Sequence, residues 1–280
     1  MQKCTSIPSV QTLLHEWKSD GQHIGFVPTM GNLHQGHLQL VEEAKKYCDR
    51  VVVSIFVNPM QFGVNEDFAS YPRTLDEDIK KLTSFSVDAI FIPQVDELYP
   101  CKMDEMSFVE VPVLSDILCG ASRPGHFRGV ATVVNKLFNI IQPDSVVFGL
   151  KDYQQFIIIK KMVNDLAMSV ELIGVETVRE DDGLAMSSRN TYLNNEQRQQ
   201  AAFLYKLLQS IREEIHTGRR DYPALEQDGL EQLEKAGFKA DYLSIRYAES
   251  LLQPTDGATN LVILVAAWLG KTRLIDNIRL

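Results

Sequence analysis

A chain of 280 residues with 45% apolar side chains has material for a full hydrophobic core and the length of one large or two modest domains. Its formal charge of −9 argues against broad binding to nucleic acid or an anionic membrane, and four cysteines without a Cys-x-x-Cys pair give no disulfide framework. No basic segment followed by an apolar run opens the chain, and the apolar stretch at 261–269 is too short for a bilayer span, so the chain reads as a cytoplasmic protein with reduced thiols.

Val10, Leu13, Leu14 and Trp17 share one face of a helix expected over 9–19, after Pro8 and before Gly21. Residues 24–27 read as a short buried strand, and Leu38, Leu40, Val41, Ala44, Tyr47 and Cys48 recur at helical spacing. Between them, Pro28-Thr29-Met30-Gly31-Asn32-Leu33-His34-Gln35-Gly36-His37 is a strand-to-helix loop. In an open α/β sheet such a loop lies at the carboxyl end of its strand, where free N–H groups and the positive end of the next helix favour anions such as phosphate. Gly31 and Gly36 let backbone approach a ligand closely. His34 and His37 flank the helix start, and a phosphate beside an imidazole favours the protonated ring, a donor for charge developing on phosphoryl oxygens. Capping or core histidines are the plainer alternative. A zinc site would need His-Glu-x-x-His and a third ligand, whereas Gln35-Gly36 separates these histidines.

Residues 51–57 form a nearly continuous β-branched run, as expected of a parallel strand covered on both faces. It empties into a long loop from Asn58-Pro59-Met60-Gln61-Phe62-Gly63 to Tyr71-Pro72-Arg73, and loops beyond about a dozen residues are uncommon in compact domains unless functional. Asn58 and Gln61 offer neutral donors and acceptors suited to hydroxyl or carboxylate groups. Next come a helix carrying Leu75, Ile79 and Leu82, a strand at 87–92, a short strand at 108–111 and a helical turn at 113–118. Arg123 and Arg128 bracket a glycine-rich loop before another helix, where they suit an anion or a solvated turn equally. A strand at 145–148, the turn Gly149-Leu150-Lys151-Asp152 and a helix through Phe156, Ile159 and Val163 repeat the pattern. Lys151 can act as a point charge on phosphate, and Asp152 can orient it or face a metal.

After a strand at 171–175, the polar segment 179–190 is either a linker or, through Ser187, Ser188 and Arg189, a phosphate-gripping loop. Helices at 194–216 and 222–235 and strands at 242–246, 261–268 and 273–278 no longer alternate. The expected fold is therefore α/β, a Rossmann-like doubly wound parallel sheet over residues 1–178, with a second, smaller α+β domain over 179–280 covering the site.

With these segments assembled, the sequence resembles the pantoate-β-alanine ligase family, the pantothenate synthetases, over essentially its whole length. PTMGNLHQGH looks like that family's form of the His-x-Gly-His element of the nucleotidyltransferase superfamily, and NPMQFG, YPRT, RPGHFRGVATVV, KDYQQ and MSSRN follow in the family's order. The resemblance implies that ATP and pantoate, with Mg2+, form pantoyl adenylate and pyrophosphate, and that the amine of β-alanine then yields pantothenate and AMP. By matching motif it implies catalytic roles for His37, His34 and Lys151, with His37 as proton donor or, in physical terms, electrostatic stabiliser. ATP contacts are implied for Met30, Gly31, Asn32, Leu33, His34, Gln35, Gly36, His37, Gly149, Leu150, Lys151, Asp152, Val178, Met186, Ser187, Ser188 and Arg189. Gln61 and Gln155 match residues that hold pantoate, with Asn58 near, and family members are usually homodimers. The resemblance names no metal ligands.

Two departures stand out. Leu150 occupies a usually polar position, leaving backbone contacts there, and Ala185-Met186-Ser187-Ser188-Arg189 lacks the lysines of the synthetases' Lys-Met-Ser-Lys-Ser loop. Arg189 and Lys151 must then supply positive charge. The rival expectations are a nucleotidyltransferase acting on a phosphorylated acceptor, which leaves Gln61 and Gln155 unexplained, and a nucleotide sensor that binds ATP without forming AMP.

Overall fold

The computed structural model describes residues 1–63, 66–255 and 257–280. The chain forms two compact units, Met1–Leu150 with Ile158–Glu176, and Lys151–Ile157 with Thr177–Leu280.

The first unit runs β1 (Gln2–Cys4), α1 (Ile7–Ser19), β2 (Ile24–Thr29), α2 (Gln35–Tyr47), β3 (Arg50–Ile55), α3 (Leu75–Ser84), β4 (Ala89–Phe91), the short α4 (Val95–Leu98) and α5 (Cys119–Ser122), α6 (His126–Ile141) and β5 (Ser145–Gly149). It ends with most of α7 (Tyr153–Asp165) and β6 (Glu171–Val175). All six strands pair in parallel in the order β1-β4-β3-β2-β5-β6. Burial explains the pairing: Phe26, Val52, Ile90 and Val146, one from each central strand, have no exposed surface, which suits a sheet covered on both faces. The strand order reverses between β2 and β5, which register as Gly25 with Ser145 and Phe26 with Val146. The carboxyl ends of β2 and β5, Thr29 and Gly149, therefore flank a topological switch point, the usual ligand crevice of such sheets.

Local chemistry sets the helix ends. In α1, Ser6 and Ser9 form a reciprocal capping box around an early proline, Pro8. Gly129 lets α6 lie against the 59–61 turn, for a Cβ there would stand 2.2 Å from the Met60 carbonyl oxygen.

The second unit runs α8 (Asn195–Ala201), α9 (Phe203–His216), α10 (Tyr222–Lys235), β7 (Lys239–Tyr247), β8 (Leu261–Leu269) and β9 (Thr272–Arg279). Its sheet is antiparallel in the order β7-β8-β9. Leu204, Leu207, Leu208 and Ile211 of α9 and Leu225 and Leu233 of α10 pack in one core with Ile245, Ile263 and Val265. The α/β fold with a smaller antiparallel sheet is as expected.

Three local expectations fail. The helix expected over 194–216 divides at Ala202 into α8 and α9. Residues 108–111 form no strand, because the Val109 N–H goes to the Thr132 hydroxyl of α6 (3.0 Å) rather than to a neighbouring strand. Residues 113–118 form turns and bends instead of a helical turn, with Val113 and Leu118 at positive φ (70° and 50°). An edge strand that the sequence did not announce, β1, pairs with β4.

Candidate active site

The histidine loop leaves β2 at Thr29 and becomes α2 at Gln35. His34 is the N-cap: its Nδ1 accepts the Gly36 N–H (3.2 Å), while Nδ1 of His37 accepts the His34 N–H (3.3 Å). The two side chains thus close a reciprocal capping box usually built by Ser or Thr with Glu. Their rings lie 4.1 Å apart at 43°. Because each Nδ1 accepts, each ring carries its proton on Nε2. A second proton on either ring would displace a capping bond at the positive end of a helix.

Upstream, the loop is held by a residue the motif does not contain. Asp78, in the first turn of α3 and without exposed surface, accepts the N–H groups of Asn32 and Leu33 at 2.8 Å each. The Thr74 hydroxyl donates to the same carboxylate (3.3 Å), and Lys81, one turn on, donates to the Leu33 carbonyl (2.7 Å). Gly31 has φ +81° and Asn32 +50°, and a Cβ on Gly31 would lie 3.1 Å from Asp78 Oδ2. Only glycine takes that conformation this close to the carboxylate at little cost. The signal was present in sequence: Asp78 falls on the stripe of Leu75, Ile79 and Leu82, a carboxylate on an apolar helix face.

Six of the loop's backbone donors are accordingly committed. The N–H of Gly31 goes to the Thr29 hydroxyl, those of Asn32 and Leu33 to Asp78, those of His34 and Gly36 to ring nitrogens, and that of His37 to the His34 carbonyl. Of the N–H groups expected to face an anion, these six are engaged within the loop or by Asp78.

Asn58 and Gln61 come together on the turn after β3. Asn58 is 1% exposed and its hydrogen-bonding capacity is filled: Nδ2 donates to Gln61 Oε1 (3.0 Å) and the Gly129 carbonyl (3.1 Å), and Oδ1 accepts from the Tyr99 hydroxyl (2.7 Å) and the Met60 N–H (3.3 Å). Burial pushes the Tyr99 hydroxyl well above its ordinary pKa, keeping it a donor. Asn58 thus holds the Gln61 side chain in place. The Gln61 amide donates to Met30 Sδ (3.1 Å), a weak acceptor that a hydroxyl can readily replace. The backbone carbonyl of Gln61 is held by His126 Nδ1 (2.7 Å) and Arg123 (3.3 Å). Neither arginine of that loop is available as an isolated cation: Arg123 forks onto Glu66 (2.6 and 2.5 Å), and Arg128 pairs with Glu110 (2.9 Å). Burial alone would raise the Glu66 carboxyl, but the Arg123 hydrogen bond and charge hold it below the usual range.

Gly149 closes β5 in the first unit, and the buried Leu150 follows it at the start of a 3-10 turn. Lys151, Asp152 and Gln155 belong to the second unit, with Lys151 Nζ 3.6 Å from Asp152 and Gln155 half-buried in the first turn of α7. Val178 and Met186 face each other in a hairpin, the Met186 N–H donating to the Val178 carbonyl (3.0 Å). At its exit Ser187 caps a 3-10 turn over Ser188–Tyr192, accepting the Arg189 N–H (3.3 Å). Arg179, which the sequence left unassigned, anchors this hairpin on the buried Asp276 through two bonds of 2.7 and 2.9 Å. Burial pushes the Asp276 carboxyl up, with Arg179 pulling against it. Among the described residues no group of three or more His, Cys, Asp and Glu side chains could hold a metal.

A family model described as Pantoate-beta-alanine ligase matches residues 2–279. The pantothenate synthetase of Shewanella loihica is 55% identical over 272 residues, 97% of this chain and 96% of that protein. A crystal structure of pantothenate synthetase from Thermus thermophilus superposes with a TM-score of 0.92 at 43% identity, covering 99% of both chains. The pantoate-beta-alanine ligase of Francisella tularensis, in a complex with beta-gamma ATP and beta-alanine, aligns with a TM-score of 0.84 at 35% identity over 100% of this chain and 97% of that one.

Proposed function

Because the chain belongs to the pantoate-beta-alanine ligase family and joins pantoate to β-alanine at the expense of ATP, we propose that it works through a pantoyl adenylate. A pantoate carboxylate oxygen attacks the α-phosphorus, pyrophosphate leaves, and the amine of β-alanine then attacks the acyl carbon, releasing AMP and a proton.

The observation that carries this reading is the two-histidine capping box at the sheet's switch point. It fixes two neutral Nε2–H donors beside a strand end, with no reorganisation needed as charge grows on phosphoryl oxygens. Lys151 adds a point charge, and Met186, Ser187, Ser188 and Arg189 add hydroxyl and guanidinium donors to the nucleotide phosphates. Gln61 and Gln155 orient pantoate by its hydroxyls. Neutral amides suit this task, because an arginine fork on the carboxylate would stabilise the ground state and withdraw its nucleophilic electrons. Mg2+ arrives on the phosphates of ATP as part of the substrate, for this ion keeps its waters and binds mainly through phosphate.

Among the described residues no helix is long and apolar enough to cross a membrane. The family resemblance supports a cytoplasmic homodimer, checked by light scattering. AMP formation from ATP and pantoate, with and without β-alanine, tests the activity: turnover should need both acids. A phosphorylated acceptor replacing pantoate would instead support the nucleotidyltransferase alternative.

A further inference from the structure

We infer that Asp276 and Asn277 are positioning residues for the ligation, holding the backbone of Lys151 and the base of the 178–186 hairpin in one register. This role builds on the proposed function, in which Lys151 and residues 186–189 are directed at phosphate. Every contact in it lies within the second unit.

Asn277, 5% exposed, donates from Nδ2 to the Lys151 carbonyl at 2.9 Å, across 126 residues of sequence. Its neighbour Asp276 takes the Arg179 guanidinium through both carboxylate oxygens and also accepts the Asn277 N–H (2.7 Å). Arg179 in turn donates to the Gly183 carbonyl (3.0 Å) and the Asn277 carbonyl (3.2 Å), and stacks 3.6 Å over the Tyr205 ring. Gly183 has φ +94°, and a Cβ there would stand 2.7 Å from Tyr205, so the hairpin turn is seated on that same ring. The Arg179–Ala185 bridge and the Met186–Val178 bond carry this order to the residue before Ser187.

Consecutive residues of a strand point to opposite faces, so Asp276 and Asn277 serve different elements from the two faces of β9. Pairing of Asp276 with Val265 and Asn277 with Leu264 fixes which residue serves which element. A slip by one position would exchange the roles.

Asn277→Ala removes the bond to Lys151 and leaves a carbonyl that water can satisfy. In pantoate-dependent pyrophosphate exchange, the variant should lose about tenfold in kcat/KM for ATP, the scale of one hydrogen bond, with the KM for pantoate and the melting temperature near wild type. Combined with Lys151→Ala, it should cost nothing further, since it acts through that residue. Wild-type kinetics, or losses that multiply in the double variant, overturn the inference while leaving the role of Lys151 intact. Wild-type kinetics for Lys151→Ala would overturn both. For Asp276, cleavage of the full chain between residues 180 and 190 by a protease should quicken in Asp276→Asn. Arg179→Lys, which keeps the charge but loses the fork, is the second variant should the first not fold. Unchanged cleavage overturns the role of Asp276.

Discussion

The histidine loop of the first unit and the 178–189 hairpin of the second, both assigned to phosphate in the proposed function, are secured by different chemistry. The loop is fixed by neutral capping bonds and by one carboxylate, Asp78, that accepts two backbone N–H groups. The hairpin is fixed by an ion pair, Arg179 on Asp276, beneath which a tyrosine ring lies. In the loop six backbone donors are engaged in making the shape. In the hairpin a strong cation is consumed, and in the proposed function the charge on phosphate is left to Lys151 and Arg189. A count of cationic residues in the sequence therefore overstates the charge available to ATP, since Arg123, Arg128 and Arg179 each have a carboxylate partner.

If that contrast holds, the largest effect should come from halving the ion pair. Arg179→Met leaves Asp276 buried without its ion-pair partner, so urea unfolding should show a loss of about 3–5 kcal/mol. A loss near that of an exposed pair would mean that water reaches the carboxylate.

The donor role of the histidines can be separated from their capping role. Asparagine reproduces the Nδ1 acceptor and is a favoured N-cap, but it has no group at Nε2. His34→Asn and His37→Asn should each slow pantoate-dependent pyrophosphate exchange by about 100- to 1000-fold, with melting temperatures near wild type. A normal rate in both would leave the histidines as caps only.

A smaller effect is expected at Asp78. Asp78→Asn turns one acceptor into a donor facing a backbone N–H, so calorimetry should show about 1–3 kcal/mol of lost stability. No loss would mean that the loop keeps its shape without the clamp.

The smallest effect concerns Glu66 and Arg123. Arg123 holds the Glu66 carboxyl below its unfolded value, so the stability it brings is fully present above the unfolded pKa of about 4.3 and is lost as pH falls through the lower folded value. Melting curves of wild type and Arg123→Gln should therefore converge on acidification. A constant gap down to the lowest pH would assign the effect to packing.

Periodicity made the parallel sheet, the strand-to-helix loop and the long C-terminal strands legible in sequence, because buried runs and amphipathic helices leave repeating patterns. Contacts between distant positions leave none. Asp78 joins residues 46 and 45 positions away, and Asn58 is recognisable as a support for Gln61 only once Tyr99 and Gly129 are in place around it. β1 was illegible for a different reason: at three residues with only Cys4 buried, it is too short to show alternation. Ala202 divides a continuous helical pattern although Ala favours helix, a case of tertiary context overriding propensity.

Attack of pantoate on the α-phosphorus of ATP is the central step of the proposed route, and transfer of label from the substrate reads it directly. With both carboxylate oxygens of pantoate carrying 18O, one full turnover with β-alanine should place a single labelled oxygen in AMP and none in pyrophosphate. Label appearing in inorganic phosphate, with ADP as the nucleotide product, would place the attack on the terminal phosphorus and contradict the adenylate route.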